Sequence, residues 1–479
     1  MKKRSSSLSL KNFYLYYLSI LEFIYIIPEL SIFISSIFFL LFISFSKNLN
    51  LKKKKYLIYF EFFYFLLIIF SIFFFFILYG NTLKSPVLIS SCYIVCLYSS
   101  FIKIIIFIFN FIFIFILKNY FSFLIRSLPN EFFFFILMSS LFMCLIVSSF
   151  NLFFLFLCLE GLTLSSIVIV CLIDQKFESL ESVLNYFFIS AVSSTFFILG
   201  MSIIFLDNKL SFCFSSFRIG LENKVEVTSY LEFFNNIEFL VLLGIFFIFI
   251  FFFIKLGFFP FHFWVPKFFN SIWFFIIFFL VLIKLVIISA FFRIIGFFCF
   301  FSIHNFFLIL FYICSIGSII VGCIGAFYCN NLKYFLAFTS INNLGYLFMG
   351  FSTNNIYAAY FSFLFFIVYF FNFIIFFISL VFIKYFENFN KNIFMNSVYF
   401  SKLNNFIKYN KNSFLNFMTL FSFFSISGLP PFAIFSIKID LLNQVWLNGN
   451  YFMVIISLIT SFFSIFYYFR LVKFLIKEK

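Results

Sequence analysis

Apolar runs separated by clusters of charge or Asn recur along all 479 residues of this chain. A membrane-crossing helix needs ~20 mostly apolar residues. Thirteen runs qualify, at residues 20–45, 56–79, 92–117, 131–150, 151–173, 181–206, 237–266, 271–295, 305–328, 332–350, 356–383, 413–445 and 450–474. The fourth and fifth share a boundary near Phe150–Asn151, and the seventh and twelfth are long and interrupted by proline. The pattern predicts an all-α polytopic membrane protein of about 13 transmembrane helices.

Composition excludes the alternatives. Hydrophobic residues make up 65% of the chain and charged residues 10%, and the mean hydropathy is +1.18. A soluble domain carries about 25% charged residues, so this chain lacks the polar surface to face water. The 103 Phe fit strong A+T pressure on codons, as in an organellar genome, and are read as lipid-facing bulk without function. No cleaved transit peptide is evident after the basic, Ser-rich Met1–Lys11.

Charge sets orientation. Alternating the loops puts nine Lys and Arg on the face of the N-terminus and nineteen on the other. By the positive-inside bias the N-terminus lies outside and the C-terminus inside. The net charge of +16 is thus mostly inside-loop charge, suited to anionic lipid rather than nucleic acid. Ten Cys, mostly in apolar stretches and without a CxxC pair, read as small apolar filler. With His262 and His304 the only histidines and no Gly-rich phosphate loop, no metal or other cofactor is expected on this chain.

Four cations, Lys103, Lys255, Lys284 and Lys438, fall inside apolar runs, as does Glu160. A charge at mid-bilayer costs ~2.5–3.5 kcal/mol even on the lenient scale, so such residues usually face a bundle interior or a wet cavity. Lys103, near Ser99 and Ser100, fits a side chain reaching the interface; Lys284 and Glu160 are too central. Lys255 precedes Gly257, Pro260 and Pro266 in KLGFFPFHFWVP, and Lys438 follows Gly428, Pro430 and Pro431 in SISGLPPFAIFSIKIDLL. Proline removes an amide and clashes with the carbonyl four residues back, so both helices should break. Broken helices at membrane depth line cavities or pathways. His262, just past the first break, is a candidate proton-handling group beside its plainer reading as a packing residue. Asp440, two residues from Lys438, points about 200° away around the helix and is not its direct partner. Two such breaks five spans apart suggest inverted repeats, spans four to eight matched by nine to thirteen. The parts are 1–130, about three N-terminal helices, then repeats at 131–300 and 301–479.

KLGFFPFHFWVP resembles the signature of the antiporter-like membrane subunits of respiratory complex I, NADH–ubiquinone oxidoreductase, a family that also includes proton-coupled sodium antiporter subunits. The PFHFWVP form is nearest its chain 2 branch. ESLESVLNYFFISAVSSTFFILG (178–200), LKYFLAFTSINNLGYLFMG (332–350), SISGLPPFAIFSIKIDLL (425–442) and SIFYYFRLVKFL (464–475) are similar to further family stretches in the same order. The resemblance implies proton translocation through Glu160, Lys255, His262, Lys284 and Lys438, with Glu160 acting on Lys255, driven by quinone reduction in another subunit. It implies NADH, FMN, iron–sulfur clusters and ubiquinone on other subunits, other membrane-arm subunits and lipids as partners, and the mitochondrial inner membrane ahead of a bacterial plasma membrane. The chain departs from the family at Asn185 and Asn343, where a lysine and a histidine are usual, and at Lys267, where an acid is usual. The family's fourteenth span is expected to be absent as well. An Mrp-type cation/proton antiporter subunit and a non-pumping assembly scaffold are the rival readings.

Overall fold

A computed structural model describes residues 26–40, 66, 87–89, 93–124, 129–173, 177–206, 236–271, 274–298, 304–353, 355–386 and 413–476. Among the described residues, seven helices are long and apolar enough to cross a membrane. The chain is a polytopic, almost wholly helical membrane protein. The expected span at 56–79 lies outside the described residues apart from Leu66.

Contacts divide the chain into two compact units. The first holds α1 (Ile26–Leu40), strands β1 (Val87–Ile89) and β2 (Tyr93–Val95), α2 (Leu97–Leu124) as far as Phe115, α3 (Asn130–Ser148) and α4 (Leu152–Ile173) as far as Leu172. The strands pair antiparallel, Leu88 opposite Ile94. This hairpin replaces the start of the helix expected from residue 92. Tyr93 also bridges to Ser149, in the extended joint between α3 and α4. That joint falls at the expected boundary: Asn151 Oδ1 accepts the Phe153 amide at 3.0 Å, so Asn151 caps the N-terminus of α4 with its side chain.

The second unit holds α5 (Phe177–Leu206), α6 (Asn236–Leu256), α7 (Trp264–Ser271), α8 (Phe274–Phe298), α9 (His304–Tyr328), α10 (Leu332–Phe351), α11 (Ile356–Phe386), α12 (Ser413–Ser427), α13 (Ala433–Leu447) and α14 (Tyr451–Ile476). Its centre is α10, buried at 18 of its 20 residues. A helix buried all round belongs to the interior of a large protein. α9 lies closely against it: a Cβ at Gly322 would come within 2.5 Å of the Asn342 amide nitrogen. Small residues at such positions let membrane helices approach.

Phenylalanine does more here than cover the lipid-facing side. Phe249, Phe291, Phe311 and Phe348 are 0–1% exposed and meet at ring-centroid distances of 5.3–6.1 Å. Phe258, just past the end of α6, stacks on Phe348 at 4.0 Å. These rings fill the space beside a helix that stops inside the core, where an unfilled cavity would be costly.

Candidate functional site: two helix breaks around a buried central helix

Each expected break is present. α6 ends at Leu256 and α12 at Ser427. The next residue in each case is a glycine in the left-handed region, Gly257 at φ 70° and Gly428 at φ 75°, where a Cβ is penalised. The first end is a Schellman closure: the Gly257 amide donates to the Ile254 carbonyl at 3.1 Å and the Phe258 amide to the Phe253 carbonyl at 2.9 Å. The Trp264 indole adds a bond to the same Ile254 carbonyl at 3.1 Å. At the second, Gly428 donates to Ser425 at 3.2 Å. The Phe259–Pro260 and Pro430–Pro431 peptides are cis. Pro266 breaks nothing: it lies in the first turn of α7, where its missing amide proton has no partner to lose.

The candidate lysines are buried. Lys255, 3% exposed, occupies the last turn of α6, 5.4 Å from the Phe251 ring centroid. Lys284, 5% exposed, donates from Nζ to Ser340 Oγ on α10 at 3.1 Å and lies 5.1 Å from the Phe269 ring on α7. Lys438 on α13 places Nζ 4.0 Å from the ring centroid of Tyr346 on α10. Asp440 is exposed while Lys438 is buried, as the helical turn requires. His262 is buried in the break, its ring 4.2 Å from that of Phe263 and 6.0 Å from that of Phe259. Glu160, on α4 in the other unit, is half-buried; Thr163 Oγ1 lies 3.4 Å from its Oε2.

α10 joins two of these lysines. Ser340, Asn343 and Tyr346 recur every three residues, so each neighbours the next along an arc that winds ~120° around the helix. Ser340 receives Lys284 and Tyr346 underlies Lys438. The six residues from Ser340 to Tyr346 rise ~9 Å. Asn343 and Thr339 lie near the Tyr369 hydroxyl, Asn342 Nδ2 is 3.5 Å from the Tyr467 hydroxyl, and the Tyr346 hydroxyl donates to the Ser457 carbonyl at 3.1 Å. Asn and Tyr side chains both donate and accept. This polar interior of α10 was not assembled from the sequence, although the pair Asn342–Asn343 at mid-span was its signal.

Lys333, at the start of the expected span 332–350, is also buried, and its Nζ donates to the Asn270 carbonyl in the last turn of α7 at 3.1 Å. A cation there complements the negative end of that helix. Asn185 and Lys267, two of the departures from the family pattern, line one groove of about 360 Å³ with Tyr186 and Trp264.

Comparison with known proteins bears on this arrangement. Residues 149–464 match the model of the family described as NADH:quinone oxidoreductase/Mrp antiporter, TM. The chain belongs to that family. A subunit N of NADH-quinone oxidoreductase from Pelagibacter ubique is 25% identical over 306 residues, 64% of this chain and 60% of the relative. NADH-ubiquinone oxidoreductase chain 2 from Marchantia polymorpha is 27% identical over 324 residues, 63% of this chain and 57% of the relative. The matches thus span about 60% of these relatives' length. A chain of respiratory complex I from Thermus thermophilus superposes with a TM-score of 0.71 at 19% identity, covering 94% of this chain and 90% of that one. It shares the fold.

Proposed function

We propose that this chain is a proton-translocating membrane subunit of an NADH:quinone oxidoreductase. The observation that carries the reading is the placement of Lys284 and Lys438 against the same buried helix, α10, Lys284 through Ser340 and Lys438 over Tyr346. Ammonium groups inside a membrane domain are expensive, and here each meets polar or aromatic partners on the same helix. Lys284 gives a proton to the Ser340 oxygen as that hydroxyl releases its own to internal water; water held by the Asn343 amide passes a proton onward past Tyr346, and the neutral amine of Lys438 receives it. Asn343 donates and accepts without ionising, so it serves as a bridge and not as a store. Lys255 and His262 at the first break, and Glu160 on α4, are the entry groups in this reading, by resemblance to the family.

The family membership and the names of the relatives support the oxidoreductase assignment. In it, NADH, FMN, iron–sulfur clusters and ubiquinone belong to neighbouring subunits, and this chain carries no cofactor. The A+T-skewed composition favours a mitochondrial inner membrane. The family description covers Mrp antiporters equally, so an Mrp-type subunit is the second reading.

Purification in mild detergent separates the two: iron–sulfur subunits should accompany the chain in the first and be absent in the second. Within the assembled complex, Lys284→Met should lower proton transport by roughly tenfold, equivalent to ~1.4 kcal/mol on the limiting barrier, with assembly retained. Undiminished transport would remove the proposed path along α10.

A further inference from the structure

A second set of buried charges lies in the first unit, outside the family-matched residues 149–464. Glu29 on α1, Tyr93 on β2 and Lys103 on α2 are 3%, 6% and 6% exposed. Lys103 Nζ stands 2.5 Å from Glu29 Oε1 and donates to the Tyr93 hydroxyl at 2.7 Å. That hydroxyl donates to the same Oε1 at 2.7 Å. The expectation that Lys103 reaches the interface is therefore overturned. It is held inside by a carboxylate 74 residues earlier in the chain.

The ring is lopsided. Glu29 Oε1 takes both contacts, while Oε2 is buried and has no hydrogen-bond partner among the described residues. A pair serving only to clamp helices gains most when its lone pairs are all filled. Seven residues after Lys103, Asn110 is 0% exposed, and neither its amide nitrogen nor its oxygen has a partner among the described residues. Seven residues return to the same side of a helix, ~10 Å along its axis. Buried polar atoms left open in this way are where internal water sits.

We propose that Glu29, Tyr93 and Lys103 form a second proton-exchanging site, which holds internal water at Glu29 Oε2 and opens towards Asn110. The elementary step moves one proton. The Lys103 ammonium gives it to the Tyr93 oxygen while the Tyr93 hydroxyl passes its own to Glu29, leaving a neutral amine, an unchanged phenol and a neutral carboxylic acid. One N–H bond is exchanged for one O–H bond, and the site is neutral overall before and after. Water at Oε2 then exchanges the acid's proton with the path past Asn110. Among the described residues, Cys144 on α3 is a further titratable group facing the pair, and Ser148 on α3, whose hydroxyl donates to the Cys144 carbonyl at 2.9 Å, lies near Tyr93.

The site stands independently of the α10 path, and the test keeps them apart. Infrared difference spectra of the intact, lipid-reconstituted assembly, in H2O and D2O, should show a carboxylic C=O band that shifts on deuteration. The band should disappear in Glu29→Gln and persist in Glu160→Gln. Proton transport per assembled complex should fall roughly tenfold in Glu29→Gln. A band that survives in Glu29→Gln, or transport undiminished per complex while less complex assembles, overturns the proposal in favour of a clamp. If Glu29→Gln does not accumulate, Tyr93→Phe keeps both charges. The band should then shift and transport fall; unchanged values overturn the proposal.

Discussion

The two broken helices share a backbone device and differ in where the charge sits. In each, a left-handed glycine follows the last helical residue and a cis proline comes three residues later. Lys255 lies before its break, in the last turn of α6, where the helix dipole favours a cation by about 0.3–1 kcal/mol. Lys438 lies after its break, in the second turn of α13, where the dipole gives no such help. The Tyr346 ring 4.0 Å from Nζ supports it instead. The closures differ too: α6 ends in a paired Schellman closure reinforced by Trp264, while Gly428 makes a single amide bond to Ser425 at the end of α12. The break geometry is thus repeated, but the means of holding an ammonium beside it is not. The two lysines occupy electrostatically different sites.

The comparison breaks most readily at the glycines. A Cβ at Gly257 would collide with the Val265 side chain, whereas at Gly428 the nearest atom is Ile434 Cγ2 at 3.7 Å. Gly257→Ala should cost about 1–2 kcal/mol for the left-handed backbone and a further 1–3 kcal/mol for overpacking, by the usual range for such changes. Gly428→Ala should show only the first cost. Thermal unfolding midpoints in detergent measure both, and equal losses would mean that the breaks are packed alike.

Next come the lysines. Lys255→Met and Lys438→Met should each lower proton transport by roughly tenfold, measured as vesicle acidification per assembled complex. Normal transport in either would show that its break is architectural only.

Trp264→Phe should then cost about 1 kcal/mol of stability, the usual net value of one hydrogen bond, because the Ile254 carbonyl keeps its bond from Gly257. An effect of similar size falls at Tyr346. Tyr346→Leu should lose about 0.5–2 kcal/mol of support for Lys438, the range for a cation over an aromatic ring, and Tyr346→Phe should lose less. Identical melting curves for the two would mean that the ring face does not hold Lys438.

Both breaks were legible in the sequence because proline and glycine act locally: Gly257–Pro260 and Gly428–Pro431 determine where α6 and α12 stop whatever surrounds them. The α3–α4 joint was legible for the same reason, through the cap at Asn151. Partnerships between distant residues were not. Nothing in the local pattern around Lys103 points to Glu29 or Tyr93, and the hairpin carrying Tyr93 lies in a stretch as apolar as a helix. Pro266 misled because a proline early in a helix and one that ends a helix look alike until the start of α7 is known. The role of α10 was half visible: Asn342 and Asn343 are too polar for a lipid-facing span, but only the fold shows α9, α11 and α14 supplying their surroundings.

The burial of α10 bears on how the chain enters the membrane. α10 is absent from the seven helices apolar enough to cross a bilayer on their own, and residues 329–331 alone separate it from the strongly apolar α9. Offered singly to the insertion machinery during synthesis, α10 would partition poorly. Its short tether and close packing favour entry with α9 as a helical hairpin, so that Asn342 and Asn343 meet protein instead of acyl chains from the outset.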